Sequence, residues 1–241
     1  MKPTRKYDII KLNYYSCGFK YIAKLRKGQK AMRKKIAAIA LILAALVQVI
    51  STGAFSDLTN YAWCEQYVTY LSERGLLLGT SADTFSPELP VTRGDFAVLA
   101  VRIFGLEADN IPDNFADVTP DAYYYQSVGI LKLYQLVSGI DQYHYAPQQN
   151  MQRQDMAVLL WRIMNRMGYY GDLSADTLLN QYLDGWQVAS YAKEAVAYLA
   201  EKGIMTGNPG GSLYPEGIVT RAEMAAMMAR VHRYIEGSYT N

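Results

Sequence analysis

The sequence predicts an all-α protein made of three helix–loop–helix repeats that pack on one another, preceded by an N-terminal signal or anchor helix. Two observations predict the repeats. The same residues recur three times at fixed spacing between residues 55 and 235, and each recurrence carries an apolar stripe of helical periodicity. A third observation predicts the N-terminal helix, because residues 36–50 form an apolar run directly behind basic residues.

A glycine, a proline and two arginines define each repeat by their constant distances. The proline lies eight residues after the glycine, the first arginine six residues after the proline, and the second arginine nine residues further on. An aspartate with an aromatic residue two positions before it begins each unit. The recurring sets are Asp57, Gly79, Pro87, Arg93 and Arg102; Asp117, Gly139, Pro147, Arg153 and Arg162; and Asp184, Gly207, Pro215, Arg221 and Arg230. We therefore place the repeats at 55–108, 115–168 and 182–235, after a basic N-terminal region and signal peptide at 1–54.

Each repeat is predicted to contain two helices around an irregular loop. The second helix carries apolar residues at positions i, i+3, i+4 and i+7, starting at Phe96, Met156 and Met224. The predicted first helices cover about residues 60–74, 121–136 and 187–202. The recurring loop glycines are expected to occupy turns that need a positive φ, and a close approach of the backbone to a ligand is the alternative: Gly79, Gly139 and Gly207.

Capping boxes mark the starts of two of the second helices. Thr92 with Asp95 and Thr220 with Glu223 have the spacing at which side chain and backbone cap each other. The middle repeat has Gln152 at the cap position, so its cap is expected to be weaker. A helix pair of this size cannot bury its apolar face alone, and we therefore expect the three units to pack together.

The net charge of +2 for the 241-residue chain averages two unlike regions. Residues 1–54 contain 12 Lys and Arg and one acidic residue, whereas residues 55–241 contain 12 Lys and Arg and 21 acidic residues. The repeats are therefore acidic, which argues against nucleic acid as a partner, because basic residues supply most of that affinity. Only two Cys and two His are present, so the composition predicts neither a disulfide framework nor a zinc site.

The N-terminal region has the order of a secretory signal. The apolar run at 36–50 follows basic residues and precedes the small residues 52–54. It is shorter than the ~20 apolar residues of a bilayer-spanning helix, so we expect export with cleavage after Ala54. An uncleaved anchor with its basic end in the cytoplasm is the alternative. A signal starting at Met32 would have ordinary length, and we interpret residues 1–31 as the product of a start codon assigned too early; a long basic tail is the alternative.

The motifs of the three units resemble those of the S-layer homology family. Residues 219–223 read Val-Thr-Arg-Ala-Glu, close to the Ile-Thr-Arg-Ala-Glu that opens the second helix of that family's repeat. Residues 91–95 read Val-Thr-Arg-Gly-Asp, and residues 151–155 depart furthest with Met-Gln-Arg-Gln-Asp. The resemblance covers residues 55 to about 233 and implies a module with pseudo-threefold symmetry. It also implies grooves that bind acidic cell-wall polysaccharide, often with ketal-linked pyruvate, and it implies no enzyme activity.

The recurring arginines Arg93, Arg153 and Arg221 are the leading candidates for ligand binding. Each stands at the first position of a predicted helix, where free backbone N–H groups favour an anion. A guanidinium group binds a carboxylate through paired hydrogen bonds, and a pyruvate ketal on a wall sugar supplies such a carboxylate. The alternative is structural: each arginine pairs with the acidic residue that recurs nearby, or with an aspartate of a neighbouring repeat.

Two further recurring sets are candidates for contacts with sugar. The aspartates before the first helices are Asp57, Asp117 and Asp184. They serve either as loop and cap residues or as acceptors for sugar hydroxyl groups, and the sequence leaves both open. Sugar rings also need a flat apolar surface, and aromatic residues near the starts of the first helices offer one: Trp63, Tyr124 or Tyr125, and Trp186. The alternative for these aromatic residues is a place in the core.

The sequence therefore predicts an exported, non-catalytic module at the cell wall or cell surface that binds acidic, pyruvate-bearing polysaccharide without a cofactor or metal. We expect membrane contact only through the N-terminal segment, if it is uncleaved. A membrane-tethered scaffold whose repeats contact proteins is the alternative. An enzyme is a third interpretation, although no carboxylate pair lies in a recognisable catalytic motif.

Overall fold

The computed structural model describes residues 55–171 and 173–237, so the predicted signal or anchor segment lies outside the described residues. Their regular secondary structure is helical, as predicted, with three isolated β-bridges. The α-helices are α1 (Ala62–Ser72), α2 (Arg93–Ile103), α3 (Tyr125–Leu133), α4 (Arg153–Arg166), α5 (Ala175–Leu179), α6 (Lys193–Glu201) and α7 (Arg221–Ile235). Short 3₁₀ helices cover Ser56–Leu58 and Gly185–Gln187. No helix in these two ranges is both long and apolar enough to cross a bilayer.

The second helix of each repeat packs against the first helix of the following repeat. Thus α2 packs on α3, α4 packs on α6, and α7 returns to pack on α1. The three repeats therefore close into a ring, which agrees with the pseudo-threefold arrangement that the resemblance implied. The additional residues before the third repeat form α5, which packs on α6.

A closed set of backbone hydrogen bonds lies at the centre of this ring. The N–H of Val91 donates to the carbonyl of Val219, that of Val219 donates to Met151, and that of Met151 donates to Val91, each at 2.9 Å. All three side chains are buried. The segments that precede the second helices therefore meet at the pseudo-threefold axis and fix the starts of α2, α4 and α7 relative to one another.

The predicted helix starts are confirmed for the second helices. The Thr92–Asp95 and Thr220–Glu223 capping boxes both form, and Gln152 makes no side-chain cap hydrogen bond. The absence of that cap does not shorten α4, which extends over 14 residues with most of one face buried. Burial of an apolar face therefore stabilises this helix without the capping contribution.

The predicted first helices are too long at their N-termini. The predictions began at residues 60, 121 and 187, whereas α1, α3 and α6 begin at Ala62, Tyr125 and Lys193. Separate turns come first, because the N–H of Ala122 donates to Thr119 and that of Ala192 donates to Ala189. In the third repeat the 3₁₀ helix Gly185–Gln187 also intervenes.

The expectation of a positive φ at the recurring loop glycines is wrong. None of Gly79, Gly139 and Gly207 is among the described residues with positive φ. Space is the physical reason for glycine instead. A Cβ atom at Gly79 would lie 2.5 Å from the ring of Phe55, and one at Gly139 would lie 2.9 Å from the ring of Phe115. The aromatic residue that begins each repeat packs directly on this backbone.

The helix end after α3 is where we expect a stabilising substitution. Gln135 follows α3 with a φ of 57°, and the equivalent positions after α1 and α6 are Gly75 and Gly203, at 67° and 64°. The left-handed conformation costs an L-residue about 1–2 kcal/mol. Glycine removes that cost but increases the entropy of the unfolded chain. Gln135→Gly is therefore expected to raise the free energy of unfolding by about 0.5 kcal/mol, measured by urea denaturation.

The matched control for this prediction is Gly203→Gln, which places the side chain of Gln135 at the equivalent position of the third repeat. We expect it to lower the free energy of unfolding by a similar or larger amount. A stability that falls with Gln135→Gly would contradict the explanation from backbone strain.

Candidate functional site

The three recurring arginines lie where one repeat meets the next. Each side chain donates through Nε and Nη2 to two loop carbonyl groups of the following repeat. The acceptors are Tyr145 (2.7 Å) and Ser138 (3.1 Å) for Arg93; Leu213 (2.8 Å) and Thr206 (3.2 Å) for Arg153; and Phe85 (2.9 Å) and Leu78 (3.0 Å) for Arg221. One edge of every guanidinium group is therefore fixed against a loop by hydrogen bonds.

The backbone N–H groups at the helix starts do not provide the anion site that the sequence suggested. The N–H of Arg93 donates to the carbonyl of Gln149 at 3.0 Å, and that of Gly94 donates to Pro147 at 2.9 Å. The equivalent pairs at the starts of α4 and α7 are bound in the same way by loop carbonyls of the next repeat. The free-amide prediction is therefore wrong, because a neighbouring loop already supplies the acceptors.

The guanidinium groups differ in their remaining edge. Arg153 also donates through Nη1 to Oε1 of Glu223 at 3.1 Å, and only 8% of the residue is exposed. Arg93 and Arg221 are half-buried, and within the described residues their Nη1 atoms form no hydrogen bond and no ion pair. The ion-pair alternative thus holds for Arg153 alone of the three. The other two side chains keep an unoccupied edge.

Burial affects the charge of two of these groups. It lowers the pKa of Arg153, and Glu223 opposes this shift. It also lowers the pKa of Arg221, and the nearby carboxylates of Asp95 and Asp57 oppose it. Because the ordinary pKa of arginine lies far above physiological pH, both side chains stay cationic there.

The candidate aspartates hold the loops that the arginines contact. Each carboxylate accepts hydrogen bonds from two successive backbone N–H groups of its own repeat. The pairs are Phe85 and Ser86 for Asp57, Tyr145 and Ala146 for Asp117, and Leu213 and Tyr214 for Asp184, at 2.6–3.1 Å. The first residue of each pair is also the one whose carbonyl accepts from the arginine Nε. The loop role is therefore observed for all three aspartates, and binding to a sugar hydroxyl stays a prediction.

These aspartates also support an unusual backbone conformation. The second residue of each pair has a positive φ although it is not glycine: 58° at Ser86, 57° at Ala146 and 52° at Tyr214. Such a conformation persists only where its surroundings enforce it. The aspartate carboxylate supplies that enforcement through charge-assisted hydrogen bonds to the backbone.

The candidate aromatic residues do not occupy equivalent positions. Trp63 is the second residue of α1 and is 50% exposed, whereas Trp186 lies in the 3₁₀ helix Gly185–Gln187 and is 78% exposed. Tyr125 is the first residue of α3 and packs, partly buried, against the core. Its neighbour Tyr124 is buried. The two tryptophans are therefore available at the surface, and the tyrosines contribute to packing.

Sequence reasoning named Trp63 but missed Tyr123 and Tyr191, which recur at the equivalent position of the other two repeats. Trp63, Tyr123 and Tyr191 each stand five residues before a buried valine of the first helix. Tyr123 donates from its hydroxyl to Oδ1 of Asp95 at 2.6 Å, and Tyr191 donates to Oδ1 of Asp155 at 2.6 Å. Loss of hydration and these hydrogen bonds raise the pKa of both phenols to about 12. An alignment of the repeats on the valine would have revealed the pair.

Three equivalent clusters follow from these contacts and from the symmetry of the ring. They are the Arg221 cluster (Arg221, Asp57, Asp95 and Tyr123), the Arg93 cluster (Arg93, Asp117, Asp155 and Tyr191) and the Arg153 cluster (Arg153, Asp184, Glu223 and Trp63). Asp155 and Tyr191 are assigned to Arg93, and Trp63 to Arg153, by their equivalent positions in the repeats. An open surface cavity of about 490 Å³ between α1 and Arg233 is lined by none of the three arginines. No group of His, Cys, Asp or Glu in the described ranges could hold a metal ion.

The structure is that of a closed three-repeat module: three helix–loop–helix units form a ring, and one arginine lies at each junction between them. The family model of the S-layer homology domain matches residues 54–97, 114–157 and 182–225. The chain therefore belongs to the S-layer homology domain family. The recurring motifs and the closed arrangement of the three repeats support the same assignment.

Curated relatives include both enzymes and surface-layer proteins. An endoglucanase of Bacillus sp. (strain KSM-635) is 32% identical over 73% of this chain and 18% of its own length. The Surface-layer 125 kDa protein of Lysinibacillus sphaericus is 25% identical over 90% of this chain and 18% of its own length. The S-layer protein EA1 of Bacillus anthracis is 26% identical over 81% of this chain and 22% of its own length. The chain thus spans about a fifth of these relatives.

Family membership fixes the general role of the three repeats. S-layer homology domains generally bind secondary polymers of the cell wall, and the repeats of this chain form a cell-surface anchoring module. The relatives indicate an exported protein associated with the cell wall or cell surface. The matched regions are S-layer homology domains throughout, which fits a non-catalytic module.

Proposed function

We propose that this module binds anionic cell-wall polysaccharide whose sugars carry ketal-linked pyruvate, and that this binding holds it at the bacterial surface. The observation that carries the proposal is the unoccupied edge of Arg93 and of Arg221. In both residues Nε and Nη2 are bound to loop carbonyls, while Nη1 has no partner in the described residues. Nη1 and the second hydrogen of Nη2 together form the edge that a carboxylate accepts from in a bidentate pair.

The fixed position of the guanidinium group favours affinity. A free arginine side chain loses rotamer entropy when it binds a ligand, at a cost of about 0.5–1.5 kcal/mol. Here the loop carbonyls have already fixed the side chain before any ligand arrives. The aspartates contribute indirectly, because Asp57 and Asp117 hold the residues whose carbonyls accept from Nε.

Exposed aromatic residues complete the proposed site. Tyr123 is 65% exposed and lies in the Arg221 cluster, and Tyr191 is 61% exposed in the Arg93 cluster. Their ring faces offer the flat apolar surface that a sugar ring requires. Trp63 and Trp186 offer further surface on the first and third repeats. The pyruvate carboxylate would bind the arginine, and the sugar that carries it would lie against the neighbouring phenol ring.

The proposal is tested by sedimentation with purified cell-wall sacculi. The described residues between 52 and 241 form a compact unit with its own core, so a segment with these bounds can be used. We expect it to sediment with native sacculi and to stay in the supernatant after mild acid has removed the ketal pyruvate. Sacculi incubated in neutral buffer are the control. Equal sedimentation before and after acid would contradict the pyruvate requirement, and failure to bind native sacculi would favour the protein scaffold.

A further inference from the structure

We infer that the three clusters are unequal: the Arg93 and Arg221 clusters bind the ligand carboxylate, whereas Glu223 occupies the Arg153 cluster from within. This inference rests on the proposed function and specifies which of the pseudo-equivalent sites perform it. Glu223 takes the position at Arg153 that a pyruvate carboxylate would take at the other two arginines.

The donor atoms of Arg153 carry the first part of the argument. Its Nε, Nη1 and Nη2 atoms donate to Leu213, Glu223 and Thr206, at 2.8, 3.1 and 3.2 Å. The side chain is only 10% exposed. Arg93 and Arg221 form the same Nε and Nη2 contacts but lack the third one. The difference between the clusters is thus confined to the edge of the guanidinium group that faces away from the loop.

The length of one acidic side chain explains this difference. Glu223 is equivalent to Asp95, and in both residues one carboxylate oxygen caps the helix by accepting from a threonine N–H, at 2.9 and 3.1 Å. The second oxygen is free to take another partner. In Glu223 the additional methylene group brings that oxygen to Arg153, whereas in Asp95 it accepts the hydroxyl of Tyr123.

The recurring aromatic position reinforces the effect. Asp155, like Asp95, has one carboxylate oxygen occupied by a phenol, that of Tyr191 at 2.6 Å. The equivalent position in the Arg153 cluster is Trp63, which has no hydroxyl to donate. Two differences therefore act together. A shorter acid bound by tyrosine leaves the arginine open, whereas a longer acid pairs with the arginine where tryptophan replaces that tyrosine in the repeat.

A ligand carboxylate cannot easily displace Glu223. The incoming anion would meet a second carboxylate of the same charge next to a guanidinium that is mostly withdrawn from water. Displaced Glu223 would lose its partner while still held at the helix start by its cap contacts to Thr220. Glu223, with 31% of its side chain exposed, would then keep its charge beside that of the ligand without a cation of its own, which is unfavourable. The Arg153 cluster should therefore stay unliganded at concentrations that fill the other two.

The number of sites is measured with a defined probe, a methyl glucoside that carries a 4,6-linked pyruvate ketal. Isothermal titration gives the stoichiometry on residues 52–241, and ¹⁵N NMR follows the Nε–H signals of the three arginines. We expect two sites, with the signals of Arg93 and Arg221 shifting and that of Arg153 unchanged. Zero sites would overturn the proposed function. Three sites in the unmodified protein would overturn this inference and leave the proposed function intact.

Two reciprocal substitutions test the role of the acidic side chain. Glu223→Asp gives the Arg153 cluster the acid of the Arg221 cluster and is expected to raise the number of sites from two to three. Asp95→Glu gives the Arg221 cluster the acid of the Arg153 cluster and is expected to lower the number of sites from two to one. Both keep a capping box, since Thr92–Asp95 and Thr220–Glu223 each form one. Unchanged stoichiometry in both folded variants would overturn the assignment to Glu223.

Discussion

Replacing Arg93 and Arg221 together by alanine is expected to lower the affinity for pyruvate-bearing sacculi by about 10³-fold. A hydrogen bond to a charged group contributes about 1.5–3 kcal/mol, so the loss of one guanidinium weakens one contact by about 30-fold. The two losses multiply on a repetitive polymer, because the second contact is intramolecular once the first has formed. The affinity is measured by sedimentation at increasing amounts of sacculi.

The control for this prediction removes the same charge from elsewhere on the second helices. Arg102 and Arg166 are exposed and lie in the last turns of α2 and α4. Arg102→Ala with Arg166→Ala is expected to leave sedimentation within about twofold, since screened surface charge contributes little. Full binding by a folded Arg93→Ala, Arg221→Ala variant would contradict the role of the guanidinium groups.

A lysine variant separates charge from geometry. Arg93→Lys with Arg221→Lys keeps both cations, but an ammonium group that donates to the loop has no planar edge left for a carboxylate. We expect its affinity to lie closer to that of the alanine variant than to that of the unmodified protein. Because both variants also lose loop hydrogen bonds, binding is compared well below the unfolding temperature of each, measured by circular dichroism.

The second helices and the repeat count were predictable because their signals are local. The apolar stripe that starts at Phe96 and the Thr92–Asp95 capping box lie within two helical turns of each other. The start of α3 was not predictable to the same accuracy, because the turn that precedes Tyr125 competes with helix over the same residues. Sequence periodicity alone does not resolve that competition.

The partners of the helix-start groups could not be predicted, because they come from another repeat. The acceptor for the N–H of Arg93 is the carbonyl of Gln149, 56 residues away. That carbonyl belongs to an irregular loop whose path depends on closure of the ring. Likewise, the sequence placed Arg153 and Arg221 in one class, although the single methylene that distinguishes Glu223 from Asp95 gives them different surroundings.

The departure of the middle repeat from the motif has a packing explanation. Gly94 faces Tyr124, and a Cβ atom at Gly94 would lie 2.7 Å from that ring. At the next junction the equivalents of Gly94 and Tyr124 are Gln154 and Ala192, so the large side chain has moved to the other repeat. Gln154 is buried and accepts the N–H of Ala189 at 3.0 Å. Gln154 therefore departs from the motif because the large side chain of this junction lies on the second repeat and the small one, Ala192, lies on the third.

Replacing Asp184 by alanine is expected to lower the free energy of unfolding by about 3–5 kcal/mol. Asp184 is 7% exposed and accepts from the N–H groups of Leu213 and Tyr214 at 2.7 and 2.8 Å. Its loss leaves two donors unpaired, at about 1–3 kcal/mol each when buried. It also releases Tyr214 from its left-handed conformation and moves the Leu213 carbonyl that accepts from Arg153. Urea denaturation measures the change.

The control for Asp184 is Asp176→Ala, which removes an equally charged but exposed side chain. Asp176 pairs with Lys193 at 2.7 Å with 74% of its side chain exposed, and such pairs contribute about 0–1 kcal/mol. A double substitution then measures how much of the effect comes from backbone strain at Tyr214. In the Tyr214→Gly variant, glycine adopts the positive φ without support from the Asp184 carboxylate. Asp184→Ala should cost less in the Tyr214→Gly background than alone. Equal costs in both backgrounds would assign the whole effect to the lost hydrogen bonds and contradict a role of Asp184 in holding the strained loop.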